Sequence, residues 1–113
     1  MKHHLTVEGH NGILNLQGKL TISNAAELKE VLLAALEGVK KLTLQCDQVE
    51  GADLSALQLF CSAHRFAVKQ EKEICFGDPR SDILIKTIKN AGYEKTMGCY
   101  LDRNNSCIWL KFS

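Results

Sequence analysis

One stretch restricts the folds open to this chain more than any other: Gln45–Lys72, QCDQVEGADLSALQLFCSAHRFAVKQEK. It leaves a short apolar strand, crosses an acidic loop and enters a helix at Ala52–Asp53–Leu54–Ser55. From Ser55 the polar positions recur as Ser55, Gln58, Ser62, Arg65 and Lys69, in alternating steps of three and four. Those steps trace one stripe on an α-helix. Apart from His64, the remaining positions are Leu54, Ala56, Leu57, Leu59, Phe60, Cys61, Ala63, Phe66, Ala67 and Val68, so most of the circumference is expected to be buried. Ser55 falls in the first turn, where backbone N–H groups lack partners inside the helix. A hydroxyl there is expected to be exposed and able to carry an anion at little cost.

The surrounding chain supplies strands for that helix to cover. Leu5–Gly9 and Ile13–Gln17 alternate apolar and polar residues around His10–Asn11–Gly12, which predicts a hairpin. Gly18-Lys-Leu-Thr-Ile leads into a helix that Ser23 or Asn24 can cap, with Asn24 and Glu27 at capping-box spacing. Leu28, Val31, Leu32, Ala35 and Leu36 form its core face, and Gly38 is placed to end it. Leu42–Cys46 and Glu73–Phe76 read as strands. Asp78-Pro79 is expected to open a further helix with Pro in its first turn. Its inner face is Leu84, Ile85, Ile88, Ala91 and Gly92. In the tail, Asn104-Asn105 is turn chemistry and Ile108–Phe112 alternates like an edge strand. Strands alternating with helices predict an α/β fold, a mixed but mostly parallel sheet with helices packed mainly on one face. One domain is expected over residues 1–113, its core at about 5–95 and its tail at 98–113.

Composition excludes several function classes. A formal charge of +1, with basic residues scattered, does not suit a nucleic-acid surface. No segment approaches a membrane span, and the start MKHHLTVEGH has no apolar signal core, so the expected location is the cytoplasm. The five cysteines are odd in number, and Cys46, Cys61 and Cys75 lie in apolar runs, as reduced cysteines do. Cys61 and His64 stand one turn apart, but no second pair at ligand spacing accompanies them, so no metal or other cofactor is expected. Cys99 and Cys107 are expected to be free thiols. Tyr93, Tyr100 and Trp109 read as ordinary packing. Asp47 follows a strand as a receiver phosphoacceptor does, yet the acidic pair and late lysine of a receiver are missing. Nucleophile elbows and phosphate loops are absent. Lys69, Lys72, Arg80, Lys86 and Lys89 read as solvated faces. No enzyme activity is expected.

The segment Asp53-Leu54-Ser55-Ala56-Leu57-Gln58 resembles the Asp-Ser-Ser/Thr-Gly-Leu motif of the STAS domain, the fold of the bacterial anti-sigma-factor antagonists. Gly18-Lys-Leu-Thr is similar to that family's Gly-Glu-Leu/Ile-Asp, and Asn90-Ala91-Gly92-Tyr93 to its closing helix end. Together the likeness covers roughly Leu5 to Lys95. Leu54 replaces the first Ser and Ala56 replaces Gly, which makes the backbone less permissive to close approach. The resemblance implies phosphorylation at Ser55 by a partner kinase that is also the anti-sigma factor. It also implies a partner surface of Asp53, Leu54, Gln58 and Ser62 with the loop Thr21, Ile22, Ser23 and Asn24. The Asp-Leu-Ser variant is similar to stand-alone STAS proteins of chemosensory-type signalling, which gives a second class of partner. A different function is a nucleotide- or lipid-binding adaptor, or an accessory STAS subunit, without a phosphoswitch. An open apolar pocket beside Ser55 would favour it.

Overall fold

The computed structural model describes residues 1–92. Its elements run β1 (Lys2–Glu8), β2 (Asn11–Leu20), a short 3-10 turn (Ile22–Asn24), α1 (Ala25–Glu37), β3 (Lys41–Ala52), α2 (Leu54–Lys69), β4 (Glu73–Phe76) and α3 (Asp82–Asn90). The strands form one sheet in the order β1-β2-β3-β4. β1 and β2 are antiparallel, while β2–β3 and β3–β4 are parallel. This is the mixed, mostly parallel sheet that the alternation of elements predicts. Expectations for the turn at Asn104-Asn105, the strand Ile108–Phe112, Cys99, Cys107, Tyr93, Tyr100 and Trp109 lie outside the described residues.

One face of the sheet carries the core. Leu14, Leu16 and Leu20 of β2, Leu42, Leu44 and Cys46 of β3, and Ile74 and Phe76 of β4 are buried against Leu28, Leu32 and Leu36 of α1 and Leu57 and Phe60 of α2. Phe60 meets Phe76 edge to face, with ring centroids 5.4 Å apart. The intervening residues of β3, Thr43, Gln45 and Asp47, are only half-buried, the polar side of a one-faced alternation. Burial pushes the Cys46 thiol up to about 12, with the Asp47 charge adding to it. Such a thiol is chemically inert at neutral pH.

Several boundaries differ from the expectations. The hairpin turn is Gly9–His10, with Gly9 at a φ of +62°, so the turn sits earlier and β2 begins at Asn11. Instead of ending at Cys46, β3 continues through the acidic segment to Ala52. Its register against β2 slips between Asn15 and Gln17 and again between Gly18 and Lys19, each time with an extra residue in β3. The buried series therefore steps from Cys46 to Val49, a gap of three that interrupts period-2 alternation. Pro79 precedes α3 and lies outside it. The cap is Ser81, whose hydroxyl accepts from the Leu84 N–H (3.2 Å) and whose N–H donates to the Cys46 carbonyl (3.1 Å). Leu84 and Ile88 are the buried residues of α3, whereas Ala91 and Gly92 lie exposed past its end.

Two cations expected to be solvated are half-buried. The Lys72 ammonium donates to the carbonyls of Leu36 and Glu37 at the C-terminus of α1, where a cation also meets the negative end of the helix dipole. The Arg80 guanidinium lies 5.6 Å from the centre of the Phe76 ring. His64 of α2 is buried at 2% exposure.

Candidate functional site

The C-terminal ends of β2 and β3 lie side by side, with Leu20 opposite Ala52. Both chains then turn into helices, and that places the loop 21–24 against the start of α2. Asp53 is the residue that fastens them. Its backbone is extended, and its Oδ1 accepts from the N–H of Ser55 (3.1 Å) and of Ala56 (3.4 Å), which caps the helix. Its other oxygen accepts from the Ile22 N–H at 2.9 Å. Its own N–H donates to the Leu20 carbonyl at 3.2 Å. One carboxylate thus closes α2 and holds the entry to α1.

Ser55 is half-buried, not fully exposed, and its hydroxyl donates to Asp53 Oδ1. That bond is the largest cause holding the Asp53 carboxyl below its ordinary range; the N–H groups of Ile22, Ala56 and Ser55 add to it, while partial burial opposes it. Electrostatically the site is one anion surrounded by donors. The capping role of Asp53 had a sequence signal, an Asp immediately before the first periodic residue of a helix.

Asp53, Leu54, Ser55 and the loop 21–24 are brought together. Ile22 and Leu54, at 71% and 51%, are the two most exposed large apolar side chains among the described residues. Leu54 precedes Ser55 in sequence, and the Ile22 N–H bonds the same Asp53 carboxylate that accepts from the Ser55 hydroxyl. Ser23 is exposed and Thr21 half-buried. Asn24 does not cap α1 with its side chain; its amide donates instead to the Lys19 carbonyl at 2.8 Å, so the expected capping box with Glu27 does not form. Gln58 and Ser62 are exposed along the stripe. Ser62, about 10 Å further along the helix, opens onto something else: a groove of about 220 Å³ between α1 and α2, lined by Leu32, Leu33, Leu59, Ala63 and Phe66 with Lys29. Leu33 and Phe66 on its lips are 40% and 37% exposed, so the apolar girdle of α2 is not wholly covered. The groove does not reach Ser55, and it is smaller than the roughly 300 Å³ at which small-molecule pockets begin. Among the described residues, no group of three or more His, Cys, Asp or Glu is placed to hold a metal, and no helix is long and apolar enough to cross a membrane.

Comparison with known proteins matches the arrangement to a family. A family model described as "Mlab, STAS domain" matches residues 3–97. Among solved structures, an anti-sigma factor antagonist from Mycobacterium paratuberculosis superposes with a TM-score of 0.70 at 14% identity, over 93% of this chain and 89% of that one. A putative anti-sigma factor antagonist from Thermotoga maritima gives 0.69 at 17% identity, over 80% of this chain and 78% of that one. Against Mglu the TM-score is 0.59 at 21% identity, over 67% of this chain but 19% of that longer one. At these identities the superpositions establish the fold. No curated protein matches the chain.

Proposed function

The chain belongs to the STAS domain family, and from that premise we propose that it is a signalling protein switched at Ser55. In this reading the unmodified domain binds a regulatory protein across Asp53, Leu54, Gln58 and the loop Thr21–Asn24. Phosphorylation of Ser55 releases that protein. The observation that carries the proposal is the pairing of one hydroxyl with two exposed apolar side chains, Ile22 and Leu54, on a junction held by Asp53.

The chemistry of a switch follows from the bonds there. A phosphate adds about −1.5 to −2 charges and removes the O–H that donates to Asp53. A donor to the carboxylate becomes an anion beside it. The two anions then compete for the N–H groups of Ser55 and Ala56, and Asp53 is the group with a second attachment, to Ile22. The modification therefore reaches the loop 21–24 through one side chain. It also charges a surface whose partner must cover Ile22 and Leu54. Burying an unpaired dianion costs several kcal/mol, enough to abolish a micromolar complex worth about 8 kcal/mol. No catalysis by this chain is required. The partner class is an anti-sigma factor of the serine-kinase type, or a chemosensory-type signalling protein. A location in the cytoplasm suits either.

Incubation with such a kinase and ATP, followed by intact mass measurement, tests the reading. One added phosphoryl group is expected on wild type and none on Ser55→Ala. Persistent labelling of the Ala variant removes Ser55 from the mechanism. Ser55→Asp is expected to weaken the partner complex at least about tenfold, or roughly 1.4 kcal/mol.

A further inference from the structure

β1 occupies one margin of the sheet, all seven of its residues are exposed, and Leu5 and Val7 are 38% and 50% exposed. Among the described residues no strand lies beyond it. Edge strands are ordinarily blunted by proline, bulges, brevity, charged side chains or a covering segment. β4, at the opposite margin, has four residues. β1 is longer, holds an unbroken register with β2 from Lys2 to Glu8 and contains no proline; among the described residues nothing pairs with its outer edge, and its charges, Lys2 and Glu8, stand at its two ends.

The hairpin determines which backbone groups face outward. Glu8 and Asn11 flank the two-residue turn and close it as a hydrogen-bonded pair. Alternation along an antiparallel ladder then directs the N–H and C=O groups of Lys2, His4, Thr6 and Glu8 toward β2, and those of His3, Leu5 and Val7 away from the sheet. Leu5 is the middle of the seven residues and the middle of the three outward positions.

We infer that β1 pairs antiparallel with β1 of a second copy, about a two-fold axis at Leu5. Leu5 then opposes Leu5, and His3 opposes Val7, each pair exchanging both N–H···O bonds. His4 opposes Thr6, and Lys2 opposes Glu8 at both ends. The charges choose this partner and this register, because Lys2 and Glu8 lie three residues either side of Leu5. A parallel arrangement would set Lys2 against Lys2. Antiparallel axes at His3 or Val7 leave one or both charges without an opposite.

The side chains agree with the backbone. On the helix face a cleft of about 460 Å³ opens between β1 and α1, lined by Leu5, Leu14, Val31, Ala34 and Ala35 together with His3, Glu27 and Glu30. Pairing brings Leu5 and Val7 of the second copy to the Leu5 side of that cleft. The interface is isologous, so it closes at two copies. The start of α2 follows β3, which is one strand removed from β1.

Sedimentation velocity on the full chain, from about 1 µM to about 1 mM, tests the pairing. A concentration-dependent dimer is expected. Lys2→Glu and Glu8→Lys each set two like-charge pairs across the axis and are expected to weaken the dimer about tenfold. An equimolar mixture of the two variants restores opposite charges at both ends and is expected to recover wild-type association, as is the double variant. Leu5→Lys should abolish it. A monomer at every concentration overturns the inference, as does a dimer indifferent to the charge reversals or a mixture that fails to recover. Protection of the His3, Leu5 and Val7 amides from exchange in a monomer would assign the edge to a different strand and overturn it equally. None of these readouts involves phosphorylation, so failure here and failure of the Ser55 switch are separable.

Discussion

The two long helices begin at the same junction and are built in opposite ways. α2 starts on a carboxylate that accepts from two of its own N–H groups and from the Ser55 hydroxyl. α1 starts from a 3-10 turn with no side-chain cap, the Asn24 amide being spent on the Lys19 carbonyl. What steadies the entry to α1 is borrowed: the Ile22 N–H donates to Asp53, the cap of the other helix. The lesson is that α2 is the fixed partner and the loop 21–24 the dependent one, which is the asymmetry a local switch at Ser55 would exploit.

The comparison can be broken at three levels. The largest effect belongs to the anchor of α2: Phe60 is fully buried against Phe76, and Phe60→Ala is expected to cost about 3–5 kcal/mol in urea unfolding. Leu33→Ala, on the half-open side of α1, should cost well under half of that. Next comes the cap. Asp53→Ala is expected to cost about 1–2 kcal/mol and to speed amide exchange at Ile22 as well as at Ser55 and Ala56. Asn24→Ala should leave the start of α1 within about 0.5 kcal/mol of wild type. Equal costs at the two positions would refute the asymmetry.

The smallest effect is one of pH. The Asp53 carboxyl titrates below its ordinary range in the folded chain, so its stabilising contribution is complete above the unfolded value of about 3.9 and is lost as pH falls through the lower folded value. The stability gap between wild type and Asp53→Asn is thus expected to hold from neutral pH to about 4 and to close below it. Because the Ser55 hydroxyl is the main cause of the depression, Ser55→Ala should move the Asp53 titration upward toward the ordinary value, as followed by carboxyl NMR. A gap unchanged on acidification would show that the charge of Asp53 is not what holds the junction.

Much of this was legible in the chain. The core face of α1 was readable from Leu28, Leu32, Ala35 and Leu36, and the solvent stripe of α2 from Gln58, Ser62, Arg65 and Lys69, because helical period repeats over several turns. The end of β3 was not readable. Its two extra residues break the alternation after Cys46, and only the pairing with β2 keeps the acidic segment extended. The end of α2 was hidden for another reason: Glu71 takes the left-handed position, at a φ of +57°, that glycine ordinarily fills. The N–H groups of Glu71 and Lys72 close the last turn on Val68 and Ala67. That turn delivers Lys72 to the end of α1, a contact across 36 residues that no local pattern announces.

What the amino-acid sequence determined by itself was the order of the elements, the burial face of α1, the solvent stripe of α2 and the position of Ser55 at the start of α2. Periodicity and capping chemistry act within a few residues and can be read there. Only the tertiary structure decided that the Ser55 hydroxyl turns onto Asp53, that Asp53 also holds Ile22, and that β1 stands at the margin of the sheet among the described residues. Each of those depends on donors, acceptors or strands far apart in the chain meeting in space, and register across a sheet is not written in any one strand.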